Sequence, residues 1–324
     1  MDEFALIQKF FQPLQDGSSA SASNDFLIKI GDDAAVWKGQ GNLAFSIDTL
    51  VEGVHFTSDI RPEDLGYRVL AVNLSDMAAM AAQPLFFTLA ITLPRSDPEW
   101  LRRFASGLGE LASQHNVLLV GGDTTCGPLT ISVQIHGSCP NPIKRSAALV
   151  SDDVYVTGYL GDAAAGLKLW LETKSEGVTD THQYLLQRFH RPTARVELAT
   201  VLSPYLNSML DVSDGLVSDL GHIAKTSDVD INIDTRLIPI SHQLSSYFSE
   251  EEALKAALTG GDDYELAFTA SSSYRSAIEE ISNKFSIPVT RVGVVLEKGD
   301  PDCSGAVLLS PESFQLDKGG YNHF

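Results

Sequence analysis

The sequence predicts a mixed α/β protein of two domains. Two observations carry this. Apolar runs of strand length alternate with helix-length amphipathic segments, and some strands follow one another directly. The chain of 324 residues, with 44% apolar and 20% charged residues, is long enough for two cores, and a polar joint falls near residue 150. The expected division is 1–150 and 151–324.

In chain order, residues 3–14 read as a short amphipathic helix, and QDGSSASASND (15–25) as a polar loop. Strands are expected at 27–30 and 42–48. PEDLGYRVLAVNLSDMAAMAA (62–82) reads as a helix, with Pro62 in its first turn and acids behind it. LFFTLAITL (85–93) is a buried strand, 98–115 a helix, NVLLVGG (116–122) a strand ending in glycines, and LTISVQIHG (129–137) an alternating strand. VYVTG (154–158) opens the second half. Helices follow at 162–174, 181–189, 193–203, 215–226, 251–258 and 273–285. Strands are expected at 209–212, 264–269, 289–296 and 305–309.

The formal net charge of −19 disfavours nucleic acid and anionic membranes as partners. An anionic substrate would need imported positive charge, most simply metal ions. Three scattered cysteines with no CxxC pair fit a reducing compartment and exclude the usual structural zinc site. The acidic start MDEFALIQKFF is not a signal peptide, and no run approaches the ~18 apolar residues of a membrane span. A cytoplasmic protein is expected.

The chemistry lies in a set of aspartate turns. GDD occurs at 31–33 and 261–263, IDT at 47–49, NLSD at 73–76, GGDT at 121–124 and DVSDG at 211–215. Most are expected where strands end, the place where open α/β folds build sites. Asp in a glycine-rich turn is commonly only a turn or cap residue, and Asp32 and Asp263 fit that description. Asp76 resists it: it sits in a helix among Leu74, Met77, Ala78 and Met80, where a lone carboxylate is expensive, with Asn73 three residues earlier on the same face. Metal ligation explains the set better than many separate turns. Neither GDD stretch has EF-hand order, which argues against a calcium sensor. Arg145, beside Lys144, suits a phosphate clamp or a solvated surface; His55 suits a phosphate contact or a structural role. GDAAAGL (161–167) offers helix N–H groups to an anion. There is no P-loop, no protein-kinase HRD or DFG motif and no GxSxG elbow.

IGDDAAV, DTLVEGVHF, NLSDMAAM, GGDTT, DVSDGL, GGDDYELAF and the terminal GGYNHF, in this order, resemble the bacterial thiamine-monophosphate kinase family from about residue 4 to the end. That family sits in a wider group with aminoimidazole ribonucleotide synthetase, selenophosphate synthetase and a hydrogenase-maturation enzyme. The resemblance implies the two-domain fold of that group, a homodimer that pairs its N-terminal sheets, and an N-terminal half that binds ATP and Mg²⁺. It implies ATP-dependent phosphorylation of thiamine monophosphate to thiamine diphosphate, the last step of thiamine diphosphate biosynthesis, with several Mg²⁺ ions per site. It implies metal ligation by Asp33, Ser46, Ile47 (through its carbonyl), Asp48, Asp76, Asp123, Asp211 and Asp214, of which Asp33, Asp76 and Asp211 are the most critical. It implies ATP contacts at Gly122, Asp123, Arg145 and Ser213, and substrate contacts at His55, Asp262 and Tyr321. Asp262 stands where many relatives have glutamate, and Lys318 takes a position where relatives often carry an aromatic residue, leaving Tyr321 as the candidate. The acceptor is already an anionic oxygen, so no general base is demanded. Other readings are another ATP-dependent member of the wider group, a non-catalytic metal- or nucleotide-binding protein, and an acidic α/β protein whose turns happen to hold Asp. No Cys precedes Cys126 and the chain ends NHF, which disfavours the selenophosphate and hydrogenase-maturation chemistries.

Overall fold

The structure is a computed structural model that describes residues 7–11, 13, 26–28, 36–39, 41–173, 179–299 and 305–311. Two compact units result: one holds the described residues up to Met77 with Ala82–Asn141, the other Ala78–Ala81 with the described residues from Pro142 onward. No helix among the described residues is long and apolar enough to cross a membrane.

The first unit contains β1 (Phe26–Ile28), β2 (Val36–Trp37), β3 (Leu43–Val51), α1 (Pro62–Ala79, whose last two residues fall in the second unit), β4 (Gln83–Leu93), α2 (Pro98–His115), β5 (Leu118–Cys126) and β6 (Thr130–Ser138). Among the described residues, β3-β6-β4-β5 form one mixed sheet, with only β4 and β5 parallel. The sheet has two distinct faces because successive side chains alternate. Leu50, Phe87, Leu89, Ile91, Ile131, Val133 and Ile135 share the buried inner face. Phe45 and Ile47 stand on the outer face, 68% and 60% exposed.

α2 forms where its sequence demands. Asp97 accepts N–H bonds from Glu99 and Trp100 at 3.1 and 3.2 Å, Pro98 opens the first turn, and Asn116 ends the helix in the left-handed region. Its buried stripe is Leu101, Phe104, Ala105, Leu108, Leu111 and Ala112. It packs on α1 so closely that a side chain at Gly66 or Gly107 would overlap the other helix's backbone.

The second unit contains β7 (Asp153–Thr157), α3 (Asp162–Thr173), α4 (Asp180–His190), α5 (Val196–Leu202), β8 (Ser208–Val212), α6 (Leu216–Ser227), β9 (Asp230–Asp234), α7 (His242–Tyr247), α8 (Glu250–Thr259), β10 (Glu265–Ala270), α9 (Arg275–Phe285), β11 (Val289–Leu296) and β12 (Val307–Ser310). Its described strands run β12-β9-β11-β7-β10-β8, antiparallel except for β12 on β9. β7, β8 and β10 are buried along their whole length, and a core of Val154, Val156, Leu210, Val212, Leu220, Ile231, Ala267 and Val295 surrounds them.

Three expectations change. β5 does not end at its glycines but runs on through GGDTTC, so Asp123 lies inside a strand. Asp48 likewise lies within β3 rather than at its end. β9 and α7, in the stretch between two expected elements, were not foreseen: each is only five or six residues long and their apolar pattern is brief.

Candidate functional site

In the first unit the structure brings Ser46, Asp48 and Asp76 together and separates them from Ile47 and Asp123. Ser46 and Asp48 alternate onto the inner face of β3, in register with Ile135 and Val133. Asp76, near the end of α1, accepts a hydrogen bond from the Ser46 hydroxyl at 2.5 Å. Asp48 is two residues along the same strand, about 7 Å away. Asn73 is fully buried one turn earlier; its amide N–H donates to Val69 O at 2.9 Å, and its Oδ1 has no partner among the described residues. Ile47 points to the outer face. Asp123 pairs in register with Ala90, and Ala90 with Ser132, which places it on that same outer face at the opposite sheet edge from β3. Three strand spacings, about 14 Å, lie between them. Gly122 is glycine for a packing reason: it pairs with Leu89 just past a bulge at Val120, and a Cβ would overlap the Leu89 carbonyl. Asp33, Lys318 and Tyr321 lie outside the described residues.

His55 is half-buried in the turn after β3. Its Nδ1 accepts the Val51 N–H at 3.1 Å, and its own N–H donates to Val51 O at 3.0 Å. A ring nitrogen that accepts carries no proton, so the neutral imidazole holds its hydrogen on Nε2.

In the second unit the motifs DVSDG and GGDDYE are stapled together. β8 and β10 pair antiparallel, with Leu266 opposite Asp211 and Glu265 opposite Val212. Beyond the pairing, Asp262 N–H donates to Ser213 O at 2.9 Å and Tyr264 N–H to Val212 O at 2.9 Å. Two glycines permit this. Gly215 has φ +113°, and a side chain there would meet Thr259 at 2.8 Å; a Cβ on Gly261 would stand 2.5 Å from Ser213 O. Asp262 holds a left-handed φ of 70°, and its Oδ1 accepts the Tyr264 hydroxyl at 3.1 Å. Asp211 is buried, while Ser213 and Asp214 are half-buried. Arg145 opens a short exposed turn, and its carbonyl accepts the Ser227 hydroxyl at 3.0 Å. Its guanidinium lies near enough to pull the pKa of Asp219 down against other influences.

Asp219 went unforeseen, as did a buried charge cluster behind the GGDDYE turn. Asp219 is 4% exposed, and its Oδ2 accepts both the Ser213 and the Asp214 N–H, at 3.0 and 3.1 Å. Burial raises its carboxyl to about 7, the neighbouring Asp214 adding to the rise. Glu265 is wholly buried between Arg188 (2.9 Å) and Arg195 (2.7 and 2.5 Å), and also accepts the Thr157 hydroxyl at 2.7 Å. Burial works to raise its pKa, but the Arg195 and Arg188 guanidiniums outweigh it and hold it below the ordinary range. Arg188 also donates to the Asp263 carbonyl at 3.1 Å. Both acids carried a signal. Asp219 falls on the apolar stripe of Leu216, Leu220 and Ile223, and Glu265 opens an otherwise apolar strand, the same anomaly that singled out Asp76.

The anion for the GDAAAGL helix start is internal. Asp263 Oδ2 accepts the Gly161 N–H at 2.7 Å and Oδ1 accepts Ala163 N–H at 3.3 Å. Asp263 is thus a structural plug of α3. Burial pushes its carboxyl up to about 8, with the Gly161 N–H and Arg188 pulling the other way.

The donor set suits a hard divalent cation. Ser46, Asp48 and Asp76 in the first unit, and separately Asp211 and Asp214 in the second, offer only oxygens, the preference of Mg²⁺, and Ser46 and Asp76 bring two oxygens to one point. Among the described residues no three His, Cys, Asp or Glu side chains gather into a group that could hold a metal ion.

Comparisons with known proteins identify the family. Residues 31–139 match the AIR synthase related protein N-terminal domain, and residues 150–304 the C-terminal domain of the same family. The thiamine-monophosphate kinase of Escherichia coli (strain K12) is 41% identical over 326 residues, covering 99% of this chain and 98% of the relative. The solved thiamine-monophosphate kinase of Stenotrophomonas maltophilia K279a is 38% identical with a TM-score of 0.86, covering 97% of this chain and 98% of that one. AaThiL complexed with AMPPCP and TMP is 32% identical with a TM-score of 0.78, covering 87% of each chain. With two family domains in order and full-length relatives well above 30% identity, the chain belongs to the AIR synthase related family and, within it, to the thiamine-monophosphate kinases.

Proposed function

We propose that this chain transfers the γ-phosphoryl group of ATP directly to the phosphate of thiamine monophosphate, giving thiamine diphosphate and ADP. An acceptor phosphate oxygen forms the new P–O bond as the bond to the β–γ bridging oxygen breaks, and ADP leaves with that electron pair. The observation that carries this reading is the stapling of the Ser213–Asp214 turn to the Asp262 turn. It fixes a nucleotide contact against an acceptor contact, and phosphoryl transfer between two anions depends mainly on such positioning. The relatives' name and the AMPPCP and TMP bound by AaThiL support the choice of substrates.

Ser46, Asp48, Asp76, Asp211 and Asp214, with Asp33 and the Ile47 carbonyl, would hold Mg²⁺, which when bound neutralises the phosphates that a −19 protein would otherwise repel. Arg145 and Ser213 bind the nucleotide. His55 presents its Nε2–H to the phosphate end of the acceptor, and Asp262 and Tyr321 take the thiamine end. No side chain needs to remove a proton, because the acceptor oxygen is already anionic. Incubation with γ-labelled ATP tests the route. Label in thiamine diphosphate with none stably on the protein is expected; label retained on the protein with ATP alone would contradict direct transfer.

The working unit is a homodimer in the cytoplasm. Phe45 and Ile47 expose apolar surface on the outer sheet face, as an unpaired sheet face would before it meets a second copy. Asp123 and Gly122 lie on or beside that face, so their nucleotide contact would be made across the interface. Sedimentation of wild type against Ile47→Glu tests this: dimer against monomer is expected, and a wild-type monomer that turns over normally would refute it.

A further inference from the structure

An aspartate in a helix's first turn commonly caps that helix's own N–H groups. Asp219 does not. It reaches back past Gly215, which has no capping side chain, to the two residues before it. One carboxylate oxygen accepts the N–H of Ser213 and of Asp214, the residues whose side chains read as the nucleotide contact and a metal ligand. Asp219 lies on the buried stripe of α6 with Leu216, Leu220 and Ile223, and makes no ion pair among the described residues. A carboxylate in that place needs a compensating task, since an apolar residue would fit the stripe at lower cost.

The Ser213 peptide is held from both sides. Its N–H goes to Asp219 and its carbonyl accepts the Asp262 N–H at 2.9 Å. Order imposed at Asp219 therefore passes through one residue to the turn that carries the acceptor contact. Gly215, at φ +113° and pressed against Thr259, closes the remaining freedom of the segment.

We propose that Asp219 is a positioning residue for this reaction: by holding the Ser213 and Asp214 N–H groups it sets the nucleotide turn, and through the Ser213 carbonyl it sets the Asp262 turn. The inference rests on the reading of Ser213 and Asp214 as nucleotide and metal contacts.

Four variants test it by steady-state kinetics with ATP and thiamine monophosphate, each checked for a cooperative melt. Asp219→Leu keeps the branched outline, with methyls for oxygens, but accepts no hydrogen bond, and Asp219→Asn keeps an acceptor oxygen without the charge. Asp219→Leu should raise the KM for ATP and cut kcat/KM by ~10–100-fold, the cost of misplacing reacting groups by about 1 Å. Asp219→Asn should recover most of that loss. A folded Asp219→Leu with wild-type KM and kcat would show that the residue is merely structural and overturn the proposal. Equal damage in both variants would overturn it too, by showing that the charge matters and not the N–H bonds. If Asp219→Leu does not fold, Asp219→Asn decides alone: near wild-type kinetics support the proposal, and a collapsed kcat/KM refutes it. Ser213→Ala and Asp214→Asn run in parallel. If both keep wild-type kinetics, the site reading itself fails; if they are impaired while Asp219→Leu is not, only the positioning role fails.

Discussion

Gly261→Ala tests the staple between the two turns with a single methyl group. The Cβ it adds would stand 2.5 Å from Ser213 O, where ordinary contact begins at 3.4 Å, so the two must part by 3.4 − 2.5 = 0.9 Å. Gly261 does not sit in the left-handed region, so overlap is the whole effect. Overpacking of this kind costs about 1–3 kcal/mol. The Asp262 N–H to Ser213 O bond stretches beyond use, at about 0.5–1.5 kcal/mol more. A displacement near 1 Å between two substrate-bearing turns should lower kcat/KM by ~10²-fold. Gly221→Ala is the control: its Cβ meets nothing within 4 Å and it lies inside α6, so it should stabilise by about 0.5–1 kcal/mol and leave turnover intact. Urea unfolding and steady-state kinetics read both. Wild-type kcat/KM and wild-type stability in Gly261→Ala would show that the staple does not set the site.

Asp76→Asn should lose nearly all turnover while keeping its far-ultraviolet circular dichroism and melting temperature, because shape stays and charge goes; wild-type kcat in that variant would remove Asp76 from the metal site. Glu265→Ala should destabilise by about 3–5 kcal/mol in denaturant titration, since Arg188 and Arg195 would be left buried without their carboxylate; a loss below about 1 kcal/mol would contradict the buried triad. His136, stacked on Phe86 at 4.6 Å, has its pKa lowered from 6.5 by burial. The unfolded chain therefore binds this proton first, so stability should fall as pH drops below 6.5 and flatten below the folded value. Melting curves of wild type and His136→Gln from pH 7.5 to 5 check this, with a smaller drop expected in the variant and an identical drop counting against it.

Much of this was legible in the sequence because local rules and global packing agree. The α2 boundaries follow from Asp97, Pro98 and Asn116, and Asp76 stood out as a carboxylate on an apolar helix face, though its hydrogen bond from Ser46 was not to be read from spacing. What stayed hidden depends on pairing between distant segments. The strand order that carries Asp123 to the far edge from Asp48 is not written in spacing, nor is the bulge at Val120, after which β5 resumes its pairing with β4 through the glycines. The role of Asp263 needed the approach of the α3 start, about a hundred residues away in sequence. Asp219 and Glu265 were visible as acids in apolar patterns, but their partners lie in the preceding turn and in two other helices.

The most direct test of the account is ADP release with Mg·ATP and thiamine monophosphate, beside thiamine, pyridoxal and hydroxymethylpyrimidine phosphate, with a tube lacking magnesium. The account predicts turnover only with thiamine monophosphate and magnesium together. A folded, ATP-binding protein that releases ADP equally with another acceptor, or without any divalent ion, would contradict it.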